Sequence, residues 1–170
     1  MILNSQMASV LRRVGTEHRP ELSPGLNNIL QSGLVENKGC LCLAAVSNSL
    51  DHVDVSDFGD LTGMECFANK IDIGRTVGSK LGLQDPILQG IQYTYELCKL
   101  LREFDTSERF ELILSCTEMP DLAHVVCTFH RIREEEQWLL DDLETYQSEA
   151  LLCIRTGAGD WSALEELAAI

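Results

Sequence analysis

Asp85-Pro86-Ile87-Leu88-Gln89-Gly90-Ile91-Gln92-Tyr93-Thr94-Tyr95-Glu96-Leu97-Cys98-Lys99-Leu100-Leu101-Arg102-Glu103-Phe104, with Phe110-Glu111-Leu112-Ile113-Leu114 after it, decides the fold class of this 170-residue chain. Asp85 is a good N-cap. Pro86 suits the first helical position, where its missing N–H would have no partner anyway. Ile87, Ile91, Tyr95, Cys98 and Leu101 make one apolar stripe, so the spacing predicts a helix over Pro86–Phe104. The apolar run that follows is short and reads as a strand.

Downstream, Met119-Pro120-Asp121 is a turn and Ala123–Arg131 a second strand. Glu134-Glu135-Glu136 is a polar turn, Trp138–Leu143 a third short strand and Ala150–Ile154 a fourth, with Leu140–Tyr146 as an alternative helix start. Gly157-Ala158-Gly159 breaks the chain, and Asp160 or Ser162 can cap a final helix over Leu164, Leu167 and Ile170. Upstream, residues 1–13 read as a short amphipathic helix, and Leu26–Leu30 as another that ends near Gly33, after a breaker region with Pro20 and Pro24. Cys40–Val46 is a continuous apolar run. Leu, Cys and Ala favour helix over Leu41–Leu50, with strand as the rival. Met64–Ile73 reads as a strand or an irregular segment, and Gly74, Gly78 and Gly82 punctuate a loop. Helices first and an antiparallel meander afterwards mean α+β: N-terminal helices, then a small antiparallel sheet, then a C-terminal helix, in one domain over residues 1–170.

Composition narrows the function. Hydrophobic content of 45% and charged content of 24% are ordinary for a globular chain. No apolar run approaches the roughly 18–20 residues needed to cross a bilayer. The N-terminus lacks the basic-then-apolar layout of a secretory signal, so a cytoplasmic protein without membrane contact is expected. The seven cysteines are odd in number and sit mostly among apolar neighbours. They read as free buried thiols rather than a disulfide framework. No Cys/His cluster has zinc-site spacing. Asp51, Asp54, Asp57 and Asp60 recur every third residue, which fits no EF-hand loop. No cofactor or metal is expected. The net charge is −14 and the pI about 4.5. Glu134 to Glu149 holds seven carboxylates and no Lys or Arg. Such a surface repels phosphate backbones, which argues against nucleic acid, and attracts a basic protein.

Within Ala123–Arg131, Val125, Cys127 and Phe129 share a core face, and His124, Val126, Thr128 and His130 a more polar one. In a hairpin with Trp138–Leu143, Asp142 or Asp141 falls beside His124. A carboxylate there accepts the Nδ1 proton and leaves Nε2 free as a base. Gly39-Cys40-Leu41-Cys42-Leu43-Ala44-Ala45 places two thiols at the head of the apolar run. At a helix start and beside an imidazolium, a thiol ionises more readily. Cys40 or Cys42, His124, and Asp141 or Asp142 are therefore the candidates for such a centre.

These residues resemble the papain-like cysteine hydrolases. Cys42-Leu43-Ala44 is similar to the Cys-aromatic-Ala of that superfamily's nucleophile helix. Ala123-His124-Val125-Val126 is similar to its His strand, and Trp138-Leu139-Leu140-Asp141-Asp142 to its aromatic-apolar-apolar-x-Asn/Asp strand. Glu36 stands where that superfamily usually carries its oxyanion-hole Gln, leaving the role to Gln31 or Asn37. The resemblance implies a thiol-dependent hydrolase of a protein or amide. Cys42 would attack the carbonyl, His124 move the proton, Asp142 orient His124, and backbone N–H groups hold the oxyanion.

A plainer reading stands beside it. Cys40 and Cys42 are buried small hydrophobes, His124 and His130 ordinary strand histidines, and Asp141 and Asp142 turn residues. Trp138 and Trp161 are core anchors. The acidity then points to a non-enzymatic binder of a basic protein, and small acidic α+β immunity proteins that block cationic toxins are the compositional likeness. The Glu134–Glu149 cluster, with Asp160, Glu165 and Glu166, would face such a partner. A chaperone for a secreted effector is a third reading of the same acidity and size.

Overall fold

The computed structural model describes residues 1–14, 20–77, 86–105, 107–118, 123–157, 160–162, 165 and 167. The chain opens with strand β1 (Ile2–Leu3) and helix α1 (Ser5–Val14). Helix α2 (Pro24–Gln31), the hairpin strands β2 (Leu34–Asn37) and β3 (Cys40–Leu43), and a 3-10 segment (Ala44–Leu50) follow, then helix α3 (Leu61–Ala68). After β4 (Ile71–Asp72) and α4 (Ile73–Val77) come the long helix α5 (Pro86–Phe104) and strands β5 (Phe110–Glu118), β6 (Ala123–Arg131) and β7 (Ala150–Arg155). Five strands form an antiparallel sheet in the order β1-β7-β5-β6-β4, and β2-β3 is a separate two-stranded sheet. The class is α+β.

Alternation along the strands gives the large sheet one fully apolar face. Phe110, Leu112 and Leu114 of β5, Val125, Cys127 and Phe129 of β6, and Leu152 and Ile154 of β7 are all buried there. Helix α5 covers that face with Ile87, Ile91, Tyr93, Leu97 and Leu101, and α1 and α2 add Met7, Val10, Leu26 and Leu30 to the same core. Tyr95, expected on the stripe, is only half-buried, and Tyr93 takes the deep position. Asp85, expected as the cap, lies outside the described residues, as does the 119–121 turn. Gly90 sets how closely α5 approaches the sheet: a Cβ there would lie 2.8 Å from Val125 Cγ1 and 3.0 Å from Leu114 Cδ1.

Four expectations are corrected. Cys40–Leu43 is a strand and not a helix start. All four of its side chains are buried, so both faces of the strand are covered and no alternation marks it. The hairpin closes through Lys38 and Gly39, both at positive φ (52° and 79°), the geometry of a two-residue turn matched to strand twist. The Lys38 ammonium then donates to the Leu50 and Val53 carbonyls at 2.6 and 2.9 Å, tying the turn to the end of the 3-10 segment. Helix α3, Leu61–Ala68, takes in the first half of the Met64–Ile73 stretch expected as strand or irregular, and is capped by Asp60, whose carboxylate accepts the Gly63 N–H at 2.7 Å. Trp138–Leu143 is not a strand: β6 already has β5 on one edge and β4 on the other. Nor do helices simply precede the sheet. The chain starts in strand β1, which pairs with β7, and β7 is the last element whose bounds lie wholly among the described residues. The expected terminal helix falls mostly outside the described residues.

Helix α3 links the two sheets through side chains. Glu65 and Asn69, one turn apart and fully buried, reach two strands that do not pair with each other. On β3, the Leu41 N–H donates to Glu65 Oε1 at 2.7 Å, the Leu43 N–H to Asn69 Oδ1 at 3.0 Å, and Asn69 Nδ2 to the Leu41 carbonyl at 2.8 Å. On β6, the Arg131 N–H donates to Glu65 Oε2 at 2.7 Å and Asn69 Nδ2 to the Phe129 carbonyl at 3.3 Å. The Arg133 guanidinium completes the site by donating to both Glu65 oxygens at 2.7 and 2.9 Å.

Glu65→Ala strands two buried N–H groups and a cation, so urea unfolding should show a loss of about 3–5 kcal/mol. Gly90→Ala should cost about 1–3 kcal/mol in the same assay through overpacking.

Candidate functional site

The three residues expected to form a thiol centre are held by different partners. Cys42 lies in β3, 0% exposed, packed with Cys40, Leu50, Met64 and Ala68. Burial pushes the Cys42 thiol up to about 12, and the Cys40 thiol up to about 11. The Cys42 Sγ has a backbone carbonyl, that of Cys40, at 3.9 Å. His124 is exposed on β6, and its Nε2 lies 3.4 Å from the Asp72 carboxylate of the neighbouring β4. Asp142 is exposed and caps the 3-10 turn Leu143–Thr145, accepting the Glu144 N–H at 3.1 Å. Asp141 pairs with Arg155 at 3.1 Å. His124 therefore finds a carboxylate, but a different one, and neither thiol reaches it. The cause is the correction above: with 138–143 not paired to β6 and Cys42 inside a strand, no element carries the three side chains to one place.

What the structure does bring together lies on the second face of the sheet. Glu111 of β5, His130 of β6, and Cys153 and Arg155 of β7 meet there. His130 Nε2 is 2.9 Å from Glu111 Oε2, the Arg155 Nε donates to Glu111 Oε1, and the Cys153 Sγ lies 3.3 Å from the same oxygen. His130 Nδ1 is 2.8 Å from the Arg131 carbonyl. Both ring nitrogens thus face oxygens. Burial raises the Glu111 carboxyl, but hydrogen bonds from His130 and Arg155 outweigh it and hold the group at about 2. The cluster borders a cavity of about 340 Å³ whose rim includes Arg109, Glu135, Trp138 and Asp141.

The segment after β6 forms that rim and covers the rest of the face. Leu139, Leu143 and Tyr146 pack on Ile113, Leu151 and Cys153. Trp138, expected as a core anchor, is 48% exposed and Leu140 is 56% exposed, whereas Trp161 is buried as expected. Most of the acidic run is engaged internally. Glu136 accepts from Thr62 N and Oγ1 at 2.9 and 2.7 Å, and Glu144 from Ser5 N and Oγ at 2.7 and 2.8 Å. Glu149 accepts from Ser115 Oγ at 3.1 Å. Glu134 and Glu135 have no partner among the described residues. The Asp series upstream behaves alike: Asp54 and Asp57 cap one 3-10 turn reciprocally, and Asp60 caps α3.

The Glu111–His130–Arg155 cluster escaped the sequence reading. Its trace was a carboxylate inside an apolar strand run, Phe110-Glu111-Leu112-Ile113, where an unpaired charge would be costly.

An α+β chain with a polar cluster beneath an exposed tryptophan is the class that fold and site define. A family model matches residues 2–159, and the chain belongs to the uncharacterized protein PM0498 family. No curated protein and no solved structure matches it. Among the described residues, no helix is long and apolar enough to cross a membrane.

Because Glu111 sits below its usual 4.5, its contribution to stability is complete above pH 4.5 and is lost as pH falls toward 2. The unfolding free energy of the wild type, from urea titrations, should drop across that window by on the order of 3 kcal/mol. Glu111→Gln should start lower and flatten the profile there.

Proposed function

We propose that the protein is a non-catalytic, acidic binding module, and that the surface around Trp138 and Leu140 docks a basic protein. One observation carries the reading. Two large apolar side chains stand exposed beside Glu134 and Glu135, the carboxylates of the acidic run that lack an internal partner among the described residues. An exposed indole supplies a large rigid contact area of the kind that dominates binding energy, and free rim carboxylates steer a cationic partner toward it. The net charge of −14 extends that attraction over the whole molecule. A cationic toxin held inactive by a cytoplasmic immunity protein is the pairing this chemistry fits best. The thiol-hydrolase alternative draws no support from the site, because all seven cysteines are buried.

Two measurements test the reading. Immobilised wild type should retain a basic protein that a Trp138→Ala/Glu134→Lys/Glu135→Lys variant does not. The association rate of that protein should fall about tenfold between low and roughly physiological salt. Equal retention by the variant, or salt-insensitive association, would reject the docking surface. Separately, a thiol-reactive amide probe should leave Cys40 and Cys42 unlabelled in the folded chain and label both after denaturation. Labelling of the native protein would restore the hydrolase.

A further inference from the structure

The two-stranded sheet has two edges, and only one is served. On β3, the Leu41 N–H and carbonyl and the Leu43 N–H face away from β2 and are taken by Glu65 and Asn69. Glu36 and Leu34 stand directly opposite Leu41 and Leu43 in the hairpin. Opposite residues of an antiparallel pair point their backbone groups either at each other or both outward. Leu34 and Glu36 therefore present two N–H groups and two carbonyls along the outer edge of β2, and these groups have no partner among the described residues. Val35 and Glu36 are exposed, so the edge meets solvent.

An open edge is normally blunted by proline, a bulge or an outward lysine. β2 reads Leu-Val-Glu-Asn and pairs residue for residue with β3, so it carries none of these. Lys38 at the hairpin tip turns its ammonium onto the Leu50 and Val53 carbonyls. The charge on the edge is acidic. Glu36 pairs with the Arg131 guanidinium, and the Glu108 carboxylate lies 3.8 Å from the same group, so two carboxylates share one cation. A second copy of the chain would set Glu36 diagonally across from its own counterpart and bring −14 against −14. The edge thus repels its own kind and accepts a strand of opposite charge.

We propose that β2 docks an extended, cationic segment of a partner protein, which adds to the β2-β3 hairpin as a third, antiparallel strand. The outward groups of Leu34 and Glu36 make the backbone bonds that fix its path. Side chains of the added strand then alternate between the two faces of the hairpin. The residue opposite Glu36 is Lys or Arg, and its charge meets the carboxylate that Arg131 must share with Glu108. The residue opposite Val35 is apolar and covers a side chain that is 37% exposed. The residue opposite Leu34 is apolar as well. The inference uses no residue of the Trp138 surface and stands without it.

Nuclear magnetic resonance on the full chain tests it with the capped peptide acetyl-Thr-Lys-Val-Val-Thr-amide. Its lysine is designed to fall opposite Glu36, the first valine opposite Val35 and the next opposite Leu34. The peptide should bind with a Kd of about 1 mM. At about ten times that concentration it should slow hydrogen exchange of the Leu34 and Glu36 amides about tenfold. N-methylation of its second and fourth amides, which face β2, should abolish binding, whereas N-methylation of its third and fifth, which face away, should leave the affinity within about threefold. Glutamate in place of the lysine should weaken binding about tenfold. Trp138→Ala should leave the affinity unchanged, whatever the outcome at the docking surface. The proposal is overturned if the peptide does not bind by about 10 mM, if the two methylated peptides bind alike, if the glutamate peptide binds equally well, or if Trp138→Ala removes binding. It is equally overturned if sedimentation shows a dimer of the chain in which the Leu34 and Glu36 amides are already protected, since a second copy would then be the occupant.

Discussion

Glu65 and Asn69 are what the rest of the architecture depends on. The small sheet has no strand-to-strand bond to the large one, so its outer edge on β3 would otherwise carry unpaired backbone groups into the interior. Two side chains from one helical face take the place of the missing strand. They serve β3 on one side and, on the other, the stretch of β6 beyond β4, whose pairing covers only Val126 and Cys127. The cost of burying a carboxylate is offset because Arg133 and two backbone N–H groups all donate to it. Thr128 adds a further tie, its hydroxyl donating to the Cys66 carbonyl of α3 at 2.9 Å. The constraint is directional as well as strong, since backbone and side-chain donors must both be in register before the carboxylate is satisfied.

That arrangement decides the chemistry of the thiols. A strand sealed against α3 keeps Cys40 and Cys42 in an apolar cluster, where a thiolate would be poorly solvated and its neighbours Glu65 and Glu36 would oppose it further. A nucleophilic cysteine needs the reverse: partial positive charge, a base at hand and access for a carbonyl carbon. The cysteines here act as small packing groups, and the polar investment of the fold goes to the Glu111–His130–Arg155 cluster on the far face of the sheet.

How far the sequence speaks depends on whether each element buries one face or two. Helix α5 and strand β6 were legible to the residue, because an apolar stripe with a proline start and a clean alternation are one-sided patterns. β3 and α3 are buried nearly all round, and burial on every side removes the period that distinguishes helix from strand. Asp60 was the missed signal for α3, hidden because it was read as one of a repeating series instead of as a cap. The segment 138–143 failed differently: Trp138, Leu140 and Asp142 alternate like a strand, yet the edge of β6 they would need is taken by β4 at Val126 and Cys127 and by Asn69 and Glu65 at Phe129 and Arg131, which is a tertiary fact. For the same reason the Cys-His-Asp order could not become a site. Linear order was correct, but two of its three elements were misassigned in type or partner.

The acidic run shows why charge has to be read by partner rather than by count. Of seven carboxylates between Glu134 and Glu149, five cap turns, pair with Arg155 or tie the segment back to Ser5, Thr62 and Ser115. Those five position the segment, and two of them, Asp141 and Glu136, meet a cation, Arg155 and Arg133. Glu134 and Glu135 remain, at a turn whose Glu135 adopts positive φ (65°), so they are displayed rather than folded in. Trp138 and Leu140 follow within the same stretch, and their exposure is the counterpart of Leu139 and Leu143 turning inward to cover the sheet. A segment that alternates in this way must present its other side chains outward, and here those are large and apolar. The surface is thus a consequence of how the second face is closed, which places the candidate interface and the buried polar cluster on two sides of one short covering segment.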